Sequence, residues 1–168
     1  MLLSHSAFTM RSSVLAASLL ALVLPAALAQ TMISKNVTFN QFYDDSSNSF
    51  DDVACSDGQN GLITRNGWTT LGQASGFPNI GGVFAVEGFN SVNCGTCWAL
   101  TFNNMTVNVL AVDTAPVGFD ISLEAMQSLV GARLAQDVGS VVAQVMQVDV
   151  TSCEQAGSKS LPPSAHHG

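Results

Sequence analysis

Four cysteines, in a chain that opens like a secreted one, constrain this fold more than any other feature. They are Cys55, Cys94, Cys97 and Cys153, and Cys94-Gly95-Thr96-Cys97 sets two of them in a Cys-x-x-Cys pair beside Trp98. Such a pair does redox chemistry when its first thiolate sits at a helix N-terminus, where the dipole lowers its pKa. Trp98-Ala99-Leu100-Thr101-Phe102 follows instead, a pattern that predicts a strand. Zinc asks for four ligands, yet Cys55 and Cys153 stand alone in sequence and the body of the chain lacks histidine until His166 and His167. No metal site and no cofactor is expected. Two structural disulfides remain. A Cys94–Cys97 bridge would close a tight ring that constrains little. The two long-range connectivities close loops of tens of residues, worth roughly 3–4 kcal/mol for each bridge on chain-entropy grounds. The residues alone leave the choice between those two open.

Residues 1–29 read as a cleaved signal peptide: Arg11 supplies the basic region, Val14 to Leu24 the apolar run, and Ala27-Leu28-Ala29 the cleavage site. The apolar run is shorter than the roughly 20 residues a bilayer-spanning helix needs. Cutting after Ala29 leaves about 139 residues, the size of one domain, expected over residues 30–153. Residues 154–168 hold Ser, Pro and Gly and read as a disordered tail.

The mature chain keeps four cations, Lys35, Arg65, Arg133 and Lys159, against twelve carboxylates. A nucleic-acid binder needs cations to displace phosphate counterions, so that class is excluded, and no membrane partner is expected. A polar surface built from Ser, Thr, Asn, Gln and Gly suits a neutral, hydroxylated partner such as polysaccharide. Two sequons, Asn36-Val37-Thr38 and Asn104-Met105-Thr106, are candidate N-glycan sites.

Alternation predicts a first strand from Val37 to Tyr43, a short one at Val83–Val86, and a hairpin of Trp98–Phe102 and Thr106–Val112 turning at Asn103-Asn104. A last strand is expected over Val141–Val150, with Val142, Met146, Val148 and Val150 on one face. Ser122–Val130 is the one clear helix, with Leu123, Met126 and Val130 along a face and Gly131 as its stop. Long polar stretches lie at 44–52, 56–61 and 66–82; loops of that size are functional or pinned by cross-links. The class is mainly β.

Without a histidine in the body of the mature chain, no Ser-His-Asp or Cys-His arrangement can form, and any proton transfer falls to carboxylates. Asp113 ends the apolar strand Val107–Val112, where a buried element meets the surface; it is a candidate site residue or a cap on the turn Asp113-Thr114-Ala115-Pro116. Trp68 is a candidate for stacking on a sugar ring or for the core. Asp44, Asp45, Asp51 and Asp52 line a groove or form a solvated acidic loop.

The blocks VACSDGQNGLITRNGWTTLG, FPNIGGVFAVEGFNSVNCGTCWALTF, VNVLAVD and ISLEAMQSL resemble the cerato-platanins, small secreted proteins of filamentous fungi, from about Val37 to Cys153. The resemblance implies a six-stranded double-psi β-barrel with one or two short helices and the disulfides Cys55–Cys94 and Cys97–Cys153. It implies a non-enzymatic protein of the extracellular space and fungal cell wall. Such a protein binds chitin or N-acetylglucosamine oligomers, loosens cellulosic material without hydrolysis, and elicits plant defence or acts as an allergen. Chitin oligomers, cellulose and host immune receptors are the implied partners of what is expected to be a monomer. Asp113 matches the aspartate to which expansin-like activity is attributed, and Asp113, Asp44, Asn108 and Trp68 form the candidate glycan-binding set. Family members usually follow that aspartate with His or another polar residue before Gly-Phe; here Thr114-Ala115-Pro116-Val117 precedes Gly118-Phe119. The alternative is a weak glycoside hydrolase pairing Asp113 with Asp44.

Overall fold

A computed structural model describes residues 31–154. The signal peptide expected over 1–29 and the expected tail from 155 onward lie outside the described residues; Glu154, the first residue assigned to that tail, is in the last helix.

Six strands close into a barrel in the order β1-β5-β2-β4-β3-β6: β1 Ile33–Phe39, β2 Ile80–Val83, β3 Cys97–Phe102, β4 Met105–Thr114, β5 Gly118–Ile121 and β6 Ser140–Val148. Two neighbouring pairs, β1 with β5 and β2 with β4, run parallel, and the others antiparallel. Closure leaves no strand edge to solvent. The β3–β4 hairpin turns at Asn103 (φ 47°) and Asn104 (φ 66°), the two successive left-handed residues of the primed turn that matches strand twist. Val107, Val109, Leu110, Ala111 and Val112 of β4 are all buried, because the helix Leu123–Val130 packs against β4 from outside the barrel. β2 is Ile-Gly-Gly-Val for a steric reason. A Cβ on Gly81 would strike the Asp120 backbone, and one on Gly82 would lie 2.6 Å from the Thr114 carbonyl oxygen.

Among the described residues four short α-helices accompany the barrel: α1 Leu62–Asn66, α2 Leu123–Val130, α3 Ala132–Val138 and α4 Thr151–Glu154. α2 is the helix the spacing predicts. Ser122 caps it by accepting from the Ala125 amide at 3.0 Å, as an N-cap serine does. It buries Ala125, Met126 and Leu129, and each of the last two side chains contributes about 2–3 kcal/mol by leaving water. Gly131 stops it as expected, but the chain then re-enters a helix, α3, which packs on α2.

Three strand expectations are corrected. The first strand ends at Phe39, four residues before Tyr43. Asn40 accepts from the Phe42 amide at 3.0 Å and turns Gln41–Asp44 into a 3-10 helix with Tyr43 buried. The Val83–Val86 run is a strand end and a turn, since the Val86 amide donates to the Val83 carbonyl. β6 ends at Val148, short of the expected Val150; Val142, Met146 and Val148 do share a face, but the inward face is that of Ala143 and Val145, and Val142 is 64 % exposed. Both faces of that strand carry apolar residues, so register decides: Val145 lies opposite Leu100 of the core, and Val142 opposite Asn36.

Two disulfides join Cys55 to Cys94 and Cys97 to Cys153, with Cα–Cα distances of 5.4 and 5.8 Å. Neither Cys-x-x-Cys member bonds its neighbour. Cys97 opens β3 rather than a helix, so the local requirement for a redox thiolate is not met.

Candidate functional site

The site is built where three strands run side by side. Gly82 of β2 pairs with Asp113 of β4 on one side and with Asp120 of β5 on the other. Neighbouring strands lie about 4.8 Å apart, so the two aspartates flank a residue without a side chain at a Cα separation of roughly 10 Å.

Asp113 is half-buried, and its carboxylate accepts three hydrogen bonds. Its Oδ2 takes the Tyr43 hydroxyl at 3.0 Å; its Oδ1 takes the amides of Ala54 at 2.9 Å and Thr114 at 2.8 Å. The residue is thus both a turn cap and a strut that fixes the 50–55 loop to the barrel. Burial first, then the charge and hydrogen bond of Asp113 and the charge of Asp120, push the Tyr43 phenol far above the usual tyrosine range. Tyr43 therefore stays a neutral donor. Asp120 accepts from the Thr38 hydroxyl at 2.8 Å.

Beside Asp113 the segment from Thr114 to Val117 borders, together with residues of β1 and β5, a groove of about 260 Å³. Asn36, Thr38, Thr114 and Asp120 give it hydroxyl, amide and carboxylate groups, while Pro116 and Val117 form an apolar rim on which Val117 is 81 % exposed. Hydroxyl donors, a carboxylate acceptor and a small apolar lip are what a sugar ring can satisfy at once.

The other residues singled out in the sequence lie elsewhere. Both oxygens of Asp44 are taken by the α2 N-terminus, Oδ2 by the Leu123 amide at 2.8 Å and Oδ1 by the Glu124 amide at 2.9 Å. It borders a different depression, with Gln41, Glu124 and Gln127. Asn108 is five residues along β4 from Asp113, on the order of 16 Å by strand rise, and its amide donates to the Ser152 carbonyl at 3.1 Å, tying β4 to α4. Trp68 is half-buried against Phe50, ring centroids 5.9 Å apart, and lines a separate depression of about 210 Å³ with Arg65 and Asn66. Asn36 and Asn104 are both exposed. Among the described residues no group of three or more His, Cys, Asp or Glu is placed to hold a metal ion, and no helix is long and apolar enough to cross a membrane.

Sequence reasoning missed Tyr43, Thr38 and Asp120. The only trace of Asp120 is the alternation in Gly118-Phe119-Asp120-Ile121, four residues long, and nothing local links it to Asp113.

The cerato-platanin family model matches residues 35–155. The chain belongs to the cerato-platanin family. It is 38 % identical over 141 residues to "Allergen Asp f 15" of Aspergillus fumigatus, covering 84 % of this chain and 91 % of that protein. It is 35 % identical over 145 residues to "Heat-stable 19 kDa antigen" of Coccidioides immitis, covering 86 % of this chain and 98 % of that protein. Among solved structures, the crystal structure of cerato-platanin 1 from M. perniciosa superposes with a TM-score of 0.67 at 37 % identity, covering 71 % of this chain and 99 % of that one. The solution structure of the fungal elicitor cerato-platanin gives 0.65 at 33 % identity, covering 73 % and 99 %. The two disulfides of this cerato-platanin fit an extracellular protein.

Proposed function

We propose that this cerato-platanin is a secreted glycan-binding protein that grips N-acetylglucosamine oligomers or cellulose chains in the β1–β5 groove and loosens polysaccharide without hydrolysing it. The observation that carries this reading is the groove itself, where Thr38, Thr114 and Asp120 converge under the Pro116–Val117 lip, one residue from Asp113. A carboxylate accepts the hydroxyl hydrogens of a sugar, and the strand that surrenders those hydrogens no longer bonds its neighbour in the polymer. Loosening then needs competition for hydrogen bonds and no bond cleavage. The low cation count also suits a neutral ligand. Relatives described as an allergen and an antigen support a role outside the cell and against a host; a seat in the fungal wall is part of the same proposal.

The test is a titration of chitotetraose and cellotetraose followed by backbone amide shifts, in wild type and Asp120→Asn. Shifts should cluster at Thr38, Thr114–Val117 and Asp120. Removing a charged acceptor should weaken binding about 10- to 100-fold, since hydrogen bonds to charged groups contribute about 1.5–3 kcal/mol. Shifts clustered around Trp68 instead, or none, would discard the groove.

One observation favours a second reading, hydrolysis: Asp113 and Asp120 flank Gly82 as two carboxylates would flank a scissile bond. This pair replaces the Asp113–Asp44 pair, because Asp44 is engaged as the α2 cap. Both oxygens of Asp113 are already engaged by Tyr43, Ala54 and Thr114, which holds the carboxylate as a strut rather than leaving it free to reach a leaving-group oxygen, so the non-hydrolytic reading is preferred. Reducing ends released from soluble chitin oligomers would reverse that preference.

A further inference from the structure

The two sequons differ in what surrounds them. Both asparagines are exposed, but Asn104 sits at the tip of the β3–β4 hairpin, whereas Asn36 lines the groove. Val37 is fully buried, and alternation along a strand turns Asn36 and Thr38 to the opposite face, where both border the same depression. Gly118, opposite Asn36 in register, has no side chain to hold the asparagine away from the loop that follows β4.

We propose that Asn36 carries an N-linked glycan whose first sugars screen this groove. The transfer forms a bond from Asn36 Nδ2 to C1 of the first sugar and breaks the bond from C1 to the pyrophosphate of a lipid-linked oligosaccharide donor. The lipid pyrophosphate and one amide proton leave. The Thr38 hydroxyl that completes the sequon is bonded to Asp120 in the folded chain, so transfer precedes folding, and the exposed Asn36 side chain lets the folded barrel keep the product.

The core of such a glycan begins with two β-1,4-linked N-acetylglucosamine residues, the repeat of chitin. Attached at the wall of the groove, it presents the proposed ligand from a tether. A short tether corresponds to an effective concentration of about millimolar. The groove, at about 260 Å³, is smaller than the roughly 300–1,000 Å³ of drug-sized ligand sites, so one attached sugar suffices to compete. The screening half of this proposal rests on the glycan-binding reading above; occupancy of Asn36 does not.

The test uses the full chain with Asn104→Gln, so that any N-glycan reports on Asn36 alone, secreted from a eukaryotic host and, separately, into the periplasm of a bacterium that does not N-glycosylate. Peptide mass mapping should find Asn36 modified in the first material and bare in the second. Calorimetry should then show chitotetraose binding about tenfold more weakly to the glycosylated form, as a millimolar tethered competitor imposes on a site of sub-millimolar Kd. A bare Asn36 in the eukaryotic material overturns the site, and equal affinity of the two forms overturns the screening. If the bare form binds no chitotetraose, the glycan-binding reading falls. Hydrogen exchange of the loop between β4 and β5 then decides the present proposal: slower exchange in the glycosylated form upholds coverage of the groove, and equal exchange ends it.

Discussion

The barrel strands and the segment from Asn40 to Asn79 are ordered by different physics. In the barrel, backbone ladders run between strands that alternate or are apolar throughout, and side chains follow from register. The 40–79 segment has no long ladder. It is held by scattered bonds: at long range the Phe50 amide to the Thr69 carbonyl at 3.0 Å, Leu71 to Asn48 at 2.9 Å and Cys55 to Val112 at 3.1 Å, and locally the Asn48 side chain to the Phe42 carbonyl at 2.7 Å. Yet it contributes Tyr43, Phe50, Leu62 and Leu71 to the same core. A long loop is affordable in a compact domain when it buries its own anchors and is cross-linked. Asp113, next to the groove, lies on the seam, since it belongs to the barrel and its partners Tyr43 and Ala54 to the loop segment.

The largest effect expected from that contrast is on the disulfides. Cys55–Cys94 closes 39 residues between two loops, and Cys97–Cys153 closes 56 residues between β3 and α4. Chain entropy assigns each about 4 kcal/mol, so global stability should fall by similar amounts in the two Cys→Ser double variants. Their local effects should differ. Native-state hydrogen exchange of the Cys55–Cys94 variant should lose protection at Phe50–Leu71 while β3, β4 and β6 keep theirs. Loss spread evenly over strands and loops would show that the two regions are one cooperative unit and break the comparison.

The same contrast explains what could be read in advance. The β3–β4 hairpin and α2 were legible because their signals are local: alternation around Asn103-Asn104, and apolar spacing closed by Gly131. The even cysteine count pointed to disulfides, while their pairing came from family resemblance. What was not legible is set by distant partners. Asp44 caps a helix 79 residues downstream, Asp120 finds Thr38 across 82 residues, and Tyr43 meets Asp113 across 70. Asn40 ended the first strand early through a side-chain cap that a hydrophobic alternation does not register.

A smaller effect, at the seam, sharpens the comparison through pH. Tyr43 is the single tyrosine of the chain, so phenolate absorbance reports on it alone. Its folded pKa is raised, by burial first and by Asp113 second. Below the ordinary tyrosine value of 10.0 both folded and unfolded chains keep the proton and stability is unaffected. Above it the unfolded chain ionises and the folded one does not, so stability should fall by about 1.4 kcal/mol per pH unit. Tyr43→Phe should abolish that slope. Phenolate appearing before unfolding, at an ordinary pKa, would mean that the loop segment opens away from Asp113 while the barrel stands.

The smallest effect compares one motif placed in both regions. In the loop segment, Asp45 Oδ1 accepts the Ser47 hydroxyl at 2.7 Å and the Ser47 amide at 2.9 Å. At the start of α4, Asp149 Oδ1 accepts the Thr151 hydroxyl at 2.7 Å and amide at 3.0 Å. In each case the side-chain hydrogen bond first, and the backbone one second, holds the carboxyl below the usual aspartate value of 3.8. A lowered folded pKa contributes stability above the unfolded value and loses it as pH falls through the folded one. The window is therefore acidic, below pH 3.8. Both groups are fully exposed, so the readout is the titration itself, followed by carboxyl carbon shifts. Ser47→Ala and Thr151→Val should each return their aspartate toward the ordinary value and leave the other unmoved. If the loop were ordered only by its disulfide and its buried anchors, the Asp45 turn would open and close freely and its titration would sit closer to ordinary than that of Asp149. Equal displacement of the two would mean that local polar turns order the surface of the loop segment as firmly as they order the barrel's end.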